Sequence, residues 1–358
     1  MSAHFHLLKV KTVKKETSDC VVITFHLPGN LQEIFKFSQG QNLTLKKSID
    51  GEELRRTYSI CTAPYEGQLS IAVKKVDAGR FSTYANEVLQ PGDTLEVLAP
   101  TGSFFSTLDS THQQNYLAFA AGSGITPVIS LVKATLATEP GATFTLVYAN
   151  RYRQSIIFFE ELAALKNKYM NRFNLVHVLS REQTPYSLHQ GRIDAGKLAE
   201  MGKLINYVQM DEIFICGPAA MTFSIKEYLL ASGIAQRKIH VELFNAAGLA
   251  NQPQPLKKAT LPQGVSSNVS IRLDGRSFDF KLAFGEASIL EAALKMGADL
   301  PYACKGGVCS TCRALLISGE VSMDANYALG PDELEKGFIL TCQSHPLTET
   351  IVIDFDTR

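Results

Sequence analysis

Over the first hundred or so positions, apolar and polar residues alternate in short runs. These predict strands at 7–13, 20–26, 41–45, 57–60, 69–75 and 94–98, separated by turn signals such as Pro28-Gly29-Asn30, Asp50-Gly51 and Pro91-Gly92-Asp93. Short strands this closely spaced suggest a small antiparallel barrel. From about 113 the pattern changes to apolar runs at 116–121, 143–148, 174–179, 211–216 and 238–243, alternating with helical stretches at 122–138, 155–169 and 217–231. That alternation means βαβ units and a parallel sheet. The next stretch has no period and holds three prolines, which reads as a semi-extended linker. Beyond it, strands at 269–273 and 277–282 flank Asp274-Gly275, a hairpin signal. Ile289, Leu290, Ala293 and Leu294 fall on one side of a helix expected over 286–296, and strands follow at 313–318 and 338–342. The expected division is therefore a barrel at 1–107, an α/β unit at 108–245, a linker at 246–266 and an α+β unit at 267–358.

Composition narrows this multidomain picture. The chain has 358 residues, more than one core normally accommodates. Lys+Arg and Asp+Glu balance at 35 each, so global charge points to neither nucleic acid nor an anionic membrane. No apolar run is long enough for a membrane span, and the start Met1-Ser-Ala-His-Phe-His lacks the basic and apolar regions of a signal peptide. Seven cysteines are an odd count, with four in one motif, so a disulfide framework is not expected and a reducing, cytoplasmic compartment is.

That motif is Cys304-Lys-Gly-Gly-Val-Cys309-Ser-Thr-Cys312 with a later Cys342. The C-x4-C-x2-C spacing is that of plant-type [2Fe–2S] clusters. A loop wrapping an inorganic core must turn its amides inward, and Gly306 and Gly307 allow close backbone approach. A zinc knot is the rival reading, although zinc sites usually pair cysteines in two short hooks and Cys342 has no such neighbour.

Three further stretches carry nucleotide chemistry. Arg56-Thr57-Tyr58-Ser59 offers a guanidinium fork for phosphate, a ring to lie on a flat heterocycle and a hydroxyl for a ring nitrogen. Gly79-Arg80-Phe81-Ser82 precedes a helix expected over 83–89, and a helix start with a serine hydroxyl suits an anion. Together the two suggest a flavin nucleotide, against the plainer reading of a tyrosine packed on a barrel face. Gly122-Ser123-Gly124-Ile125-Thr126-Pro127 joins the first parallel strand to its helix, where phosphates bind, although Pro127 stands where a dinucleotide fingerprint has its third glycine. Cys216-Gly217-Pro218 ends a later strand at the same carboxyl edge, and Ser180-Arg181-Glu182 follows another. Arg181 is placed to meet a 2′-phosphate, with Arg151, Arg153 and Arg192 as rivals.

Taken in order, these stretches resemble the ferredoxin–NADP reductase superfamily over roughly residues 5–245, and the last ninety or so residues resemble a plant-type ferredoxin. The fused order is similar to the reductase components of multicomponent oxygenases. Pro301-Tyr-Ala-Cys-Lys-Gly-Gly-Val-Cys-Ser-Thr-Cys-Arg and Ser322-Met-Asp-Ala-Asn-Tyr look most like the reductase subunits of phenylacetyl-CoA epoxidase. The resemblance implies an FAD barrel, an NAD(P) α/β domain and a β-grasp-like ferredoxin domain. Electrons would pass from NADPH through FAD and a [2Fe–2S] cluster to a di-iron oxygenase partner, with no nucleic acid and no membrane involved.

It also implies roles residue by residue. Arg56 holds the flavin pyrophosphate, Tyr58 stacks on the isoalloxazine, Ser59 bonds near its reactive nitrogen, and Gly79 and Ser82 contact the pyrophosphate. Gly122, Gly124 and Thr126 cradle the pyridine nucleotide, with Cys216, Gly217 and Pro218 beside the nicotinamide and Ser180 and Arg181 on the 2′-phosphate. Ser59, Thr126 and Cys216 then form the catalytic set, and Cys304, Cys309, Cys312 and Cys342 ligate the cluster. One departure is that no C-terminal aromatic caps the flavin, because the chain runs on past Phe244. Two alternatives stay open: an NADH-dependent reductase of another aromatic-ring oxygenase, Rieske or di-iron, and a non-enzymatic redox-sensing or zinc-binding module. Lys305, Arg313, Asp324, Asp332 and Glu333 are candidates for docking the oxygenase, against the plainer reading of solvated surface charges.

Overall fold

The computed structural model describes residues 4–244 and 266–357. The linker expected at 246–266 lies outside the described residues except for Ser266, which already begins a strand.

The first unit comprises β1 (His6–Thr17), β2 (Cys20–His26), β3 (Asn42–Ile49), β4 (Glu52–Ser59), β5 (Leu69–Lys74), helix α1 (Arg80–Glu87) and β6 (Thr94–Val97). Its six strands run in the order β4-β3-β6-β1-β2-β5 with every neighbour antiparallel. An antiparallel bridge from Ile60, just past β4, to Ile71 on β5 joins the two ends of that order, as the expected barrel requires. Its inward positions, among them Leu8, Ile23, Leu43, Leu45, Ile71 and Val97, form one apolar core. The β3–β4 hairpin is longer than its apolar alternation suggests. Its outer arms are polar and solvated, so only the turn, with Asp50 at φ 51° and Gly51 at φ 77°, marks it in the sequence.

The second unit alternates β7 (Asn115–Ala121), α2 (Ile125–Thr138), β8 (Thr143–Asn150), α3 (Phe159–Lys168), β9 (Phe173–Leu179), α4 (Ala195–Met201), β10 (Glu212–Cys216), α5 (Ala219–Ala231) and β11 (Ile239–Glu242). The strands are all parallel, in the order β11-β10-β7-β8-β9. The chain reverses its direction of travel between β7 and β10, which places a topological switch point, and hence a ligand crevice, at their carboxyl ends. Helix α4 carried no sequence expectation; it is short, and Asp194 caps it by accepting the amide of Lys197 at 2.8 Å. Helix α3 begins later than its periodicity suggests, after a 3₁₀ turn and a left-handed Phe158.

The third unit contains β12 (Ser266–Leu273), β13 (Arg276–Ala283), α6 (Ile289–Lys295), β14 (Arg313–Ser318), β15 (Val321–Met323), α7 (Pro331–Glu335), β16 (Phe338–Leu340), β17 (Ser344–Pro346) and β18 (Thr350–Asp354). Its main sheet runs β13-β12-β18-β14-β16, with β12 and β18 parallel and the other neighbours antiparallel. Ser288 accepts the amide of Glu291, so α6 starts at this cap rather than at 286. Ile289, Leu290 and Ala293 of α6 enter the core of this sheet.

Candidate redox site

Strand β4 carries the first group. Arg56 and Tyr58 lie two residues apart and so share one strand face, while Ser59 is buried. The Tyr58 ring sits 5.7 Å from that of Phe81 in α1, and burial raises the phenol's pKa, so it stays a protonated donor. At the start of α1, Ser82 Oγ accepts the amide of Val76 at 3.2 Å and donates to the carbonyl of Gly79 at 3.0 Å. A Cβ on Gly79 would fall 2.4 Å from that Oγ and 2.5 Å from a Val76 methyl, so only glycine fits this cradle. A backbone held open beside an exposed guanidinium and a half-buried ring suits a flavin nucleotide.

The second group lies at the switch point. Gly122 takes φ 53°, and Tyr148 fixes it by donating its hydroxyl to the Gly122 carbonyl at 2.9 Å. A Cβ on Gly124 would stand 2.1 Å from the carbonyl oxygen of Cys216, and one on Gly217 would stand 2.5 Å from the Met221 methyl and 3.1 Å from Cβ of Ala121. The β7–α2 turn and the end of β10 are thus pressed together backbone to backbone, leaving the amides of the turn at a helix start. Thr126 is buried with its hydroxyl on the Ser123 carbonyl at 3.0 Å, and Pro127 is buried in the first turn of α2. Pro218 caps α5.

Ser180 and Arg181 leave β9 at the same edge, and both are exposed. The Ser180 amide reaches the Asn150 carbonyl at 2.9 Å and the Arg181 amide the Arg151 carbonyl at 3.0 Å. Glu182 accepts the amide of Arg153, and Gly191, beside Arg192, bonds the Leu179 carbonyl. The four arginines weighed from sequence therefore surround one strand edge.

The structure joins the first two groups through a residue that sequence reasoning missed. Glu242, the last residue of β11, accepts from Ser59 Oγ at 3.1 Å and from Cys216 Sγ at 3.9 Å. Burial pushes its carboxyl up to about 8, with the nearby Cys309 adding to the rise. Burial and then Glu242 itself hold the Cys216 thiol well above its ordinary value. A usable signal existed, since β11 ends at the same carboxyl edge as Gly122 and Cys216.

The third group is the cysteine loop. Cys309, Cys312 and Cys342 are buried and Cys304 is half-buried. Lys305, Gly307 and Ser310 all take positive φ, and a Cβ on Gly307 would meet the Ala325 carbonyl at 2.9 Å. The Gly306 amide donates to Cys304 Sγ at 3.3 Å and the Gln343 side chain to Cys342 Sγ at 3.7 Å. The Cys304 thiol, then burial, raises Cys309 well above the usual thiol range, so these sulfurs crowd one another. Crowded thiols ringed by amides suit thiolates bound to iron, whose charge would complete the donor set. Among the described residues, no three or more His, Cys, Asp and Glu side chains close around a single metal ion, the four thiols included. The fit to a cluster therefore rests on the four thiols and the amides around them.

Val308 brings this loop to the end of β11, next to Glu242. It packs in a small apolar cluster with Leu243, flanked by Phe223 and Tyr327. Of the charges near the loop, Arg313 and Glu333 pair with each other, and Glu333 also accepts from Ser103 at 3.1 Å, so both are engaged within the chain. Asp324 pairs with His345 at 2.9 Å. Lys305 remains exposed, over the ring of Tyr302. Among the described residues no helix is long and apolar enough to cross a membrane.

Comparison with known proteins gives the same three parts. Residues 7–105 match the oxidoreductase FAD-binding domain, 119–227 the oxidoreductase NAD-binding domain, and 271–347 the 2Fe-2S iron–sulfur cluster binding domain. The chain is 48% identical over 355 residues to a subunit of the 1,2-phenylacetyl-CoA epoxidase of Escherichia coli K12, covering 99% of this chain and 98% of that protein. It is 34% identical over 357 residues to the ferredoxin reductase component of 3-ketosteroid-9-alpha-monooxygenase of Rhodococcus rhodochrous, covering 98% and 96%. The crystal structure of phthalate dioxygenase reductase shares the fold, with a TM-score of 0.55 at 22% identity over 98% of both chains.

Proposed function

The chain belongs to the family of oxygenase reductase components that join FAD-, NAD- and [2Fe–2S]-binding domains, and we propose that it carries electrons from NADPH through FAD and the cluster to a di-iron oxygenase that epoxidises the ring of phenylacetyl-CoA. The observation that carries this reading is the meeting of Ser59 and Cys216 on Glu242, with Val308, the neighbour of Cys309, packed on Leu243, the neighbour of Glu242. The barrel contributes Ser59, the nucleotide unit Cys216 and Glu242, and the cluster unit Val308. The bound flavin supplies the conversion of a two-electron hydride into single electrons, which is the cofactor's own chemistry.

In this reading residues 1–107 hold FAD, 108–245 the nicotinamide nucleotide and 267–358 the cluster. Arg56, Gly79 and Ser82 bind the flavin pyrophosphate, and Tyr58 stacks on the ring system. Gly122, Gly124, Thr126, Gly217 and Pro218 shape the nucleotide crevice, and Ser180 with Arg181 and its neighbour Arg151 reads the 2′-phosphate. Ser59 would turn its single hydroxyl proton from Glu242 to the reactive edge of a bound flavin, Cys216 fills the strand end against which nicotinamide lies, and Glu242 orients Cys216 through its hydrogen bond. Cys304, Cys309, Cys312 and Cys342 ligate the cluster. Electrons leave on the side of half-buried Cys304 and exposed Lys305, since Arg313 and Glu333 are engaged within the chain. The full-length relationship to a component of the epoxidase supports the partner and its substrate.

Anaerobic addition of NADPH tests the path. The flavin absorbance bleaches and a rhombic cluster EPR signal appears; a bleached flavin with no such signal would refute transfer to a cluster. Reconstitution with the oxygenase part of the epoxidase then yields the ring epoxide. Turnover only with a steroid or other aromatic oxygenase, or with NADH alone, would replace the substrate or the donor in the proposal.

A further inference from the structure

Arg55 is a guanidinium with 7% of its surface exposed, one residue before the flavin-site arginine. Its Nε donates to Glu53 at 2.8 Å, within β4. Its other partners belong to the third unit: Nη1 donates to the Leu300 carbonyl at 3.1 Å and Nη2 to Asp299 Oδ1 at 3.2 Å, and the group lies 4.2 Å from the centre of the Tyr302 ring. The centre of the Phe5 ring stands 5.2 Å from the same group. Asp299, Leu300 and Tyr302 form the segment that leads into Cys304.

A second contact holds the far end of the same loop. Thr44, fully buried on β3, shares a hydrogen bond with Thr311 at 3.0 Å and another with Thr57 of β4 at 3.2 Å. Thr311 stands between Ser310 and Cys312, so this contact is made by the residue next to a cluster cysteine. Thr44 and Arg55 belong to one hairpin, in which Thr44 faces Thr57 and Lys46 faces Arg55. That hairpin continues into Tyr58 and Ser59.

Burying a guanidinium is costly unless its donors are met, so its presence in a contact between units calls for a reason other than adhesion. Its rigid fork specifies direction where an apolar contact would allow sliding. We propose that Arg55 and Thr44 are positioning residues that pin both ends of the Cys304–Cys312 loop to the strand pair carrying the flavin site, and so set the geometry of flavin-to-cluster electron transfer. This rests on the electron path proposed above.

The test uses the holoprotein and its Arg55→Met and Thr44→Val variants in anaerobic stopped-flow with NADPH. Flavin bleaching keeps its parent rate, whereas cluster reduction slows by about tenfold or more, equivalent to ~1.4 kcal/mol on the apparent barrier of that step. Small-angle scattering, a readout independent of turnover, shows a larger radius of gyration for Arg55→Met. Arg55→Lys does not rescue, because a point charge cannot replace the fork. Unchanged cluster reduction and an unchanged radius of gyration in Arg55→Met and Thr44→Val would overturn the proposal. Should Arg55→Met lose flavin, Asp299→Ala combined with Tyr302→Leu, both in the third unit, must show the same split between the two steps or the proposal fails. Absence of cluster reduction in the parent protein would instead sink the electron path and leave the docking geometry to the scattering data.

Discussion

The barrel meets its two neighbours through seams of opposite character. Toward the nucleotide unit, Cys20, Cys61, Ala72 and Phe104 of the first unit and its exit share one apolar core with Ile125, Ile129 and Leu131 of α2. Polar contacts cross there as well, among them the buried Ser130 Oγ to the Thr62 carbonyl at 2.7 Å, Lys133 with Glu66 at 3.0 Å and the Phe158 amide to Glu16 at 3.0 Å, but they sit against that shared core. Toward the cluster unit the contacts are directional: Arg55 with Asp299 and Leu300, Thr44 with Thr311, and Ser103 with Glu333. The small apolar cluster around Leu243 and Val308 joins the cluster unit to the nucleotide unit instead, and among the described residues no barrel residue enters it. A shared core cannot open without exposing apolar surface, so the flavin and nicotinamide sites keep one fixed relation. A seam of hydrogen bonds can release into water at little net cost, since water replaces what is lost. The first seam suits hydride transfer, which needs fixed stacking. The second suits a carrier that must also face an external oxygenase.

The sharpest way to break this contrast is to cut the apolar seam. Leu131, 1% exposed, packs in the shared core, and Leu131→Ala should cost ~2–5 kcal/mol, the range for buried leucine truncation. Calorimetry would show a lowered Tm for the part of the transition belonging to the first two units, together with loss of flavin bleaching by NADPH. Arg55→Met should leave that Tm nearly unchanged. Equal destabilisation by the two variants would erase the distinction between the seams.

Glu242 lies where the seams converge, held by Ser59 of the barrel and raised in part by Cys309 of the cluster unit. Its carboxyl value rises from about 4.3 in an unfolded chain to about 8 in the fold. The folded protein therefore keeps a proton that the unfolded chain has lost. Stability from this group is greatest below pH ~4.3, declines as pH rises toward 8, and levels off above it. For a half-buried group the decline should amount to about 1–2 kcal/mol. Glu242→Gln should flatten it, as read from denaturant midpoints across that window. A slope identical to the parent's would show that the carboxylate is already ionised in the fold.

Much of this arrangement was legible in the sequence because local patterning and local chemistry coincide there. The period change near 113, the Gly122–Pro127 turn and the cysteine spacing each depend on residues close together in the chain, and the fold has barrel, parallel sheet and iron–sulfur unit where those signals put them. What stayed hidden depends on long-range approach. Glu242 reads as an ordinary strand-end acid until β11 is set beside β10 and the barrel brings Ser59 to it. Arg55 reads as a duplicate of Arg56, because nothing near it in sequence announces Asp299 and Tyr302. Arg313 and Glu333 read either as docking charges or as solvated surface charges, and neither reading foresees that they pair with each other while Glu333 reaches Ser103 of the barrel's exit. Helix α4 escaped notice because a seven-residue helix offers under two turns of periodicity.

Arg181 supplies the control for the contrast, since it is exposed just past the end of β9 and, among the described residues, makes neither the shared-core contacts nor the bonds to the cluster unit. Its charge should act on the nucleotide's 2′-phosphate alone. A charge-assisted hydrogen bond contributes roughly 1.5–3 kcal/mol, which sets an upper range of ten- to a hundredfold on discrimination. Arg151 flanks it through the Arg181 amide and retains part of the positive field, so Arg181→Ala should fall at the low end, about tenfold. The loss should appear as a higher KM for NADPH with kcat unchanged and with KM for NADH untouched, because interactions with a remote phosphate bind ground and transition states alike. Adding salt should narrow the gap between the two nucleotides in the parent protein and do little in the variant, since the contact is exposed and screened. Flavin-to-cluster transfer should keep its parent rate in Arg181→Ala. A fall in that rate would mean that the nucleotide edge and the polar seam are coupled, and that the two seams do not act independently.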